Sequence, residues 1–300
     1  MSAHPKAKVM LNKEARKILP MLTVSMRCGC EEAERVQHYC AITLCNMLAA
    51  PLEKGLLLEL VGTGAIVDLV VVTLLRINSV QTKETLGRAF FNLLNRGEIR
   101  EALVMKLDIV SAILELSKIE YIELLELCMH ALYNITCELR AGTGYEDGFA
   151  SKLQTLKVPR FVISRLVYTP SQEGSVGTRA IRFLIGKSLA NMSFHKALVV
   201  ELTNESGSRI SDALHRVYVL KNEDSTYCAC ATLFNISSIP ECRVLAESKV
   251  LDLVVEVLAN ECPALCIKLC AASLCNFSMM GAFHEKMNTR DVIAAIVTLM

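Results

Sequence analysis

The segment CMHALYNI, residues 128–135, recurs in modified form along the chain and decides its fold. In each copy an apolar residue lies six positions before an asparagine, a second lies two positions before it, and a third follows it directly. Offsets of four and three residues bring side chains onto one face of an α-helix, so the pattern predicts a helix with one buried face. The six copies begin at Cys40, Leu86, Cys128, Ile185, Ala229 and Cys270.

The asparagines of the six copies set the length of a repeat. They are Asn46, Asn92, Asn134, Asn191, Asn235 and Asn276, at separations of 46, 42, 57, 44 and 41 residues. A period of about 40–47 residues is typical of stacked helical repeats. Because asparagine is a weak helix former, its recurrence at one helical position indicates a role for the amide.

A second segment recurs between the asparagines. Residues 53–75, 99–116 and 241–258 each predict a short helix, a turn and a longer helix, and residues 8–26 and 31–49 predict an opening helix pair. We therefore predict an all-α chain in which residues 1–300 form one solenoid of about six three-helix repeats, as part of a longer array. The 57-residue spacing predicts loop insertions near 141–152 and 169–178.

The phrases Val61-Gly-Thr-Gly-Ala-Ile-Val-Asp-Leu-Val and Ala131-Leu-Tyr-Asn-Ile-Thr resemble armadillo repeats of the β-catenin, importin-α and axonemal types. The resemblance implies a right-handed α-solenoid whose asparagines line a concave groove. Importin-α-like proteins carry tryptophan four residues before the groove asparagine. This chain contains no tryptophan, so the resemblance does not extend to recognition of nuclear-import signals. The residues at those positions are Ile42, Arg88, His130, Lys187, Ala231 and Ala272.

The candidate binding site is the groove itself. An asparagine amide has two donor protons and an acceptor oxygen, so a row of amides can hydrogen-bond the backbone of an extended protein segment. The alternative is that each asparagine holds the neighbouring repeat. We predict a groove formed by the six asparagines together with the mildly basic Arg88, His130 and Lys187.

Composition limits the other functions. Hydrophobic residues make up 52% of the chain, which excludes disorder, and 32 basic against 31 acidic residues give no overall attraction for nucleic acid. The sequence has no uninterrupted apolar run of about 20 residues and no apolar signal-peptide core, so we expect no membrane span and a cytoplasmic location, cytoskeletal or ciliary included. The 13 cysteines are interpreted as reduced core residues rather than metal ligands.

No catalytic, metal or cofactor motif occurs, and four asparagines have the form N-x-S/T. In a secreted chain the latter would accept glycans; here they are interpreted as part of the repeat. We expect a non-enzymatic scaffold that binds a protein partner through an extended or helical segment, without a cofactor. The alternatives are a structural component of a large assembly such as a ciliary axoneme, and the non-catalytic repeat region of a larger enzyme.

Overall fold

The computed structural model describes residues 5–27, 33–49, 54–62, 64, 77–105, 107–142, 144–168, 176–204 and 209–299. α-Helices and short 3-10 helices are the regular elements in these ranges. The chain divides into two compact units, Met1–Glu138 (unit 1) and Leu139–Met300 (unit 2). The prediction of an all-α fold is confirmed.

Unit 1 contains three helices that carry the asparagines, and these helices pack against one another in sequence order. They are α2, α4 and α7. The helices of this unit are α1 (Pro5–Met26), α2 (Ala33–Ala49), α3 (Lys54–Gly62), α4 (Val80–Leu94), α5 (Gly97–Val104), α6 (Leu107–Leu116) and α7 (Ile122–Thr136).

Unit 2 repeats this plan, with α10, α13 and α15 as its stacked asparagine-bearing helices. Its α-helices are α8 (Glu146–Thr155), α9 (Val158–Tyr168), α10 (Val176–Met192), α11 (Lys196–Asn204), α12 (Arg209–Tyr218), α13 (Glu223–Ser237), α14 (Val250–Ala259), α15 (Ala264–Ser278), α16 (His284–Met287) and α17 (Arg290–Thr298). Short 3-10 helices are formed by Cys137–Arg140, Pro240–Glu247 and Gly281–Phe283.

The predicted buried face forms the core in both units. The residues six and two positions before each asparagine, and the one directly after it, are buried in all six copies. Full burial of a large apolar side chain such as Leu132 contributes about 1.5–3 kcal/mol to the stability of the fold. Asn222 fixes the start of α13 with a capping box, in which its side chain accepts from the Ser225 N–H at 2.8 Å.

Two details differ from the sequence predictions. The short first helix of the sixth repeat is a 3-10 helix, Pro240–Glu247, whose first turn contains a proline. The insertion predicted near 141–152 is shorter than expected, because α8 begins at Glu146 and supplies the first helix of its repeat. Most of the other predicted insertion, and the predicted helix over 65–75, lie outside the described residues.

Candidate partner-binding site

The unit 1 ladder consists of Asn46 on α2, Asn92 on α4 and Asn134 on α7. Asn46 and Asn92 are half-buried, whereas Asn134 is 7% exposed. The Asn92 amide lies 3.8 Å from the Cys45 sulfur of the preceding copy, a weak acceptor. The Asn134 Nδ2 is buried and has no hydrogen-bond partner among the residues that the structure describes. An unpaired buried donor of this kind requires an explanation.

The unit 2 ladder consists of Asn191, Asn235 and Asn276, on α10, α13 and α15. The Asn235 Nδ2 donates to Ser193 Oγ at 3.0 Å, and the Asn276 Nδ2 donates to Ser237 Oγ at 3.1 Å. Each bond joins one repeat to the preceding one. Asparagine therefore has the structural role between repeats that the sequence left open as an alternative.

The acceptor in each of these bonds is the residue two positions after the previous asparagine. Ser193 is 2% exposed and Ser237 is fully buried. The equivalent residue before Asn134 is Leu94, which is buried and has no acceptor on its side chain. The full set at this position is Leu48, Leu94, Thr136, Ser193, Ser237 and Ser278. Sequence reasoning missed these serines as site residues, although the N-x-S/T pattern was visible.

The basic side chains that flank the unit 1 ladder lie beside carboxylates. Arg88 forms an ion pair with Glu84 at 2.6 Å, and His130 lies 3.9 Å from Glu126. The hydrogen bond from the Tyr121 hydroxyl to Glu84, at 3.2 Å, raises the pKa of that phenol. Acidic side chains therefore lie beside two of the three basic residues that the sequence assigns to the groove. The mildly basic groove stays a prediction.

Aromatic rings lie beside these predicted site residues as well. The rings of Phe91 on α4 and His130 on α7 have centroids 5.1 Å apart, which places His130 against the neighbouring repeat. In unit 2 the Lys187 ammonium lies 4.4 Å from the centroid of the Phe183 ring, one helical turn earlier. A cation over an aromatic face is attracted by the ring quadrupole. The Phe183 ring therefore keeps the Lys187 ammonium close to α10.

Most cysteines that the structure describes are buried, as predicted, while Cys275 is exposed. Burial raises the pKa of Cys228 to about 11 and that of Cys242 to about 11. The Cys230 and Cys270 sulfurs lie 3.6 Å apart, and this hydrogen bond, with burial, raises the pKa of Cys230. Cys28 and Cys30 lie outside the described residues. Cys228, Cys230 and Cys242 are therefore buried, protonated thiols at neutral pH.

The described ranges also bear on metal binding and on insertion into a membrane. No group of three or more His, Cys, Asp or Glu side chains there is placed to hold a metal ion. No single helix in those ranges is long and apolar enough to cross a membrane, although the bent pair Ala264–Ser278 and Gly281–Met287, at 106°, meets the length and composition test together.

Comparisons with known proteins identify the fold. No model of a known family matches the sequence, and no curated protein matches it. The chain is similar to a computationally designed armadillo repeat protein for modular peptide recognition, with 16% identity, a TM-score of 0.61, and coverage of 86% of this chain and 99% of that one.

Two further solved structures give the same result. A designed armadillo repeat protein in complex with the peptide (KR)4 matches with 16% identity and a TM-score of 0.58, over 86% of this chain and 99% of that one. An engineered protein matches with 15% identity and a TM-score of 0.61, over 87% of this chain and 96% of that one. The chain therefore has an armadillo-like repeat fold.

Proposed function

We propose that this protein is a non-catalytic scaffold that binds an extended segment of a protein partner on its asparagine-bearing faces. One observation carries the proposal: the buried Asn134 amide has no hydrogen-bond partner among the described residues. Leaving a buried donor unpaired costs about 1–3 kcal/mol. If the Asn134 side chain rotates on binding so that Nδ2 reaches the surface, a partner's backbone carbonyl can accept from it and remove that cost.

The surroundings of the unit 1 ladder suit an extended peptide. Tyr39 and Ile42 lie seven and four residues before Asn46, on the same side of α2, and are 61% and 37% exposed. Tyr39 and Ile42 can contact the side chains of a bound peptide, while the asparagine amide contacts the backbone of that peptide. This division between backbone affinity and side-chain specificity is general in the recognition of extended peptides.

The solved structures support a peptide partner. A designed protein of this fold is in complex with the peptide (KR)4, and another is described as built for modular peptide recognition. We transfer from them only the class of partner, an extended protein segment. Because carboxylates lie beside Arg88 and His130, we expect electrostatics to contribute less than backbone hydrogen bonds on the unit 1 face.

The test begins with affinity purification of the tagged protein from native cells, followed by mapping of the bound segment on the partner. Asn134→Ala should weaken binding of that segment by about 1–3 kcal/mol, roughly five- to hundredfold, in calorimetry. Asn288→Ala is the matched control, because Asn288 is exposed at the end of α16 and is not one of the ladder asparagines.

Normal binding by an Asn92→Ala, Asn134→Ala double variant would overturn the proposal for unit 1. The partner would then dock on an edge of the repeats, as expected of a structural component in a large assembly. Circular dichroism of each variant shows whether it remains folded, which separates a lost contact from a lost fold.

A further inference from the structure

We propose that Ser193 and Ser237 are positioning residues of the unit 2 face. Each holds the amide nitrogen of the next ladder asparagine, so that Asn235 and Asn276 offer their carbonyl oxygens to a partner. The unit 2 face would then recognise backbone N–H groups. This inference rests on the proposed function, because it names the chemical group of the bound segment that this face selects.

The orientation of each amide follows from the single proton of the serine hydroxyl. Ser193 Oγ donates to the Ala190 carbonyl at 2.8 Å, and Ser237 Oγ donates to the Phe234 carbonyl at 2.8 Å. A hydroxyl has one donor proton and accepts through its lone pairs. Since the proton is already used, each hydroxyl can only accept from the neighbouring repeat. The group facing it must be the asparagine nitrogen and not the oxygen.

Burial makes this orientation stable. Ser193 is 2% exposed and Ser237 is fully buried, so water does not replace the amide as a donor to either hydroxyl. Rotating the amide by 180° would place its oxygen against the lone pairs of the hydroxyl. Two acceptors would then face each other in a site that water does not reach.

The carbonyl oxygens of the two amides remain available. Asn235 and Asn276 are half-buried, and their Oδ1 atoms accept no hydrogen bond from the part of the chain that the structure describes. An oxygen can bind only donors. In an extended protein segment the regularly spaced donors are backbone N–H groups, and proline has none.

The unit 1 ladder lacks this fixed orientation at Asn134. The Asn134 Nδ2 is buried and has no hydrogen-bond partner among the described residues, so no hydroxyl holds its amide in one orientation. The difference follows from Leu94, which occupies the position that Ser193 and Ser237 occupy in unit 2. Selectivity for backbone N–H groups is accordingly a property of the unit 2 face, although the asparagines of both units occupy the same repeat position.

The first experiment measures hydrogen exchange of the asparagine side-chain amides by NMR on the whole chain. Asn235 and Asn276 should each show one protected Nδ2 proton. Ser193→Ala should remove the protection at Asn235 alone, and Ser237→Ala should remove it at Asn276 alone. Ser193→Thr, which keeps a hydroxyl, should restore it. Unchanged exchange at Asn235 in Ser193→Ala would overturn the proposal without involving any ligand.

The second experiment uses as its probe the tightest-binding octapeptide selected from a displayed random library, with its backbone nitrogens methylated one at a time. Methylation at positions that face unit 2 should weaken binding about two- to tenfold, the value of one hydrogen bond. The Ser193→Ala, Ser237→Ala double variant should lose this dependence on position, because its amides can rotate.

The outcomes distinguish a failure of the proposed function from a failure of the selectivity for backbone N–H groups. If no octapeptide binds while the exchange pattern is as expected, the proposed function fails and the amide orientation stands. If the octapeptide binds but methylation has the same effect at all positions in both proteins, the selectivity for N–H groups is wrong. Proline substituted at the sensitive positions should reproduce the loss caused by methylation.

Discussion

The two ladders of this protein use the same residue in different ways. In unit 2, Asn235 and Asn276 donate to buried serines of the preceding repeat. In unit 1, the Asn92 amide nitrogen lies 3.8 Å from the Cys45 sulfur, a weak acceptor, and the buried Asn134 Nδ2 has no hydrogen-bond partner among the described residues. The difference shows that the role of a repeated asparagine depends on the residue two positions after the previous one.

The largest expected effect tests whether the cores below the two ladders are equivalent. Leu132 in unit 1 and Leu233 in unit 2 lie two residues before a ladder asparagine, and both are buried. Leu132→Ala and Leu233→Ala should each lower the free energy of unfolding by about 2–5 kcal/mol in urea titrations, because each leaves a cavity.

Leu132→Met and Leu233→Met are the matched controls, since they keep the volume and should cost less than about 1.5 kcal/mol. A cost below that value for one alanine variant alone would mean that the units differ in their cores and not only in their ladders.

The next effect compares two glycines that lie five residues before a ladder asparagine. A Cβ on Gly186 would lie 2.6 Å from Val217 Cγ1, whereas a Cβ on Gly87 would lie 3.1 Å from Leu124 Cδ1, the end of a flexible side chain. Gly186→Ala should destabilise the protein by about 1–3 kcal/mol in urea titrations, since buried Val217 cannot turn aside easily.

Gly87→Ala should be close to neutral, because alanine gains about 0.5–1 kcal/mol over glycine in a helix and Leu124 can adjust. Combining Gly186→Ala with Val217→Ala should cost less than the sum of the two single changes. Full additivity of the two changes would show that the close approach of α10 and α12 is not what makes Gly186→Ala destabilising.

The smallest effect concerns alkaline pH and the buried thiols of unit 2. In the folded protein the pKa of Cys228 is raised from 9.0 to about 11, so this thiol ionises at a lower pH in the unfolded chain than in the folded one. Its contribution to stability is complete below pH 9 and is lost as the pH rises toward 11. At pH 9 the loss from Cys228 is about 0.4 kcal/mol.

Urea titrations of the whole protein between pH 7.5 and 10 measure this loss. Cys228→Ala should remove part of this dependence of the free energy of unfolding on pH. A free energy of unfolding that rises between pH 8.5 and 10 would contradict the assignment.

The sequence allowed the helices, their grouping in repeats and their buried faces to be predicted, because apolar spacing within a helix depends only on helical geometry. The three core positions of each copy, Leu132 among them, are buried as expected. The role of Asn235 was not predictable in the same way. It depends on which residue of one repeat faces the amide of the next, and that contact is fixed by packing between helices 42 residues apart.

The unpaired amide of Asn134 could not be predicted from the sequence either. Its sequence form, Asn134-Ile-Thr136, matches that of Asn235-Ile-Ser237, so nothing in its own copy predicts an unpaired amide. The deciding residue, Leu94, lies in the previous copy. By contrast, the carboxylates beside Arg88 and His130 could have been predicted. They lie one helical turn earlier on the same helices, and the sequence shows this i, i+4 spacing.

A double-mutant cycle in unit 2, with Asn134→Ala as the unit 1 comparison, tests the difference between the ladders most directly. Free energies of unfolding are measured for Asn235→Ala, Ser193→Ala, their combination and Asn134→Ala. We expect Asn235 and Ser193 to be coupled by about 0.5–1.5 kcal/mol, and Asn134→Ala to leave the free energy of unfolding unchanged or to raise it, because it removes an unpaired buried donor. Additive effects of Asn235→Ala and Ser193→Ala, or a loss in Asn134→Ala as large as that in Asn235→Ala, would contradict the account.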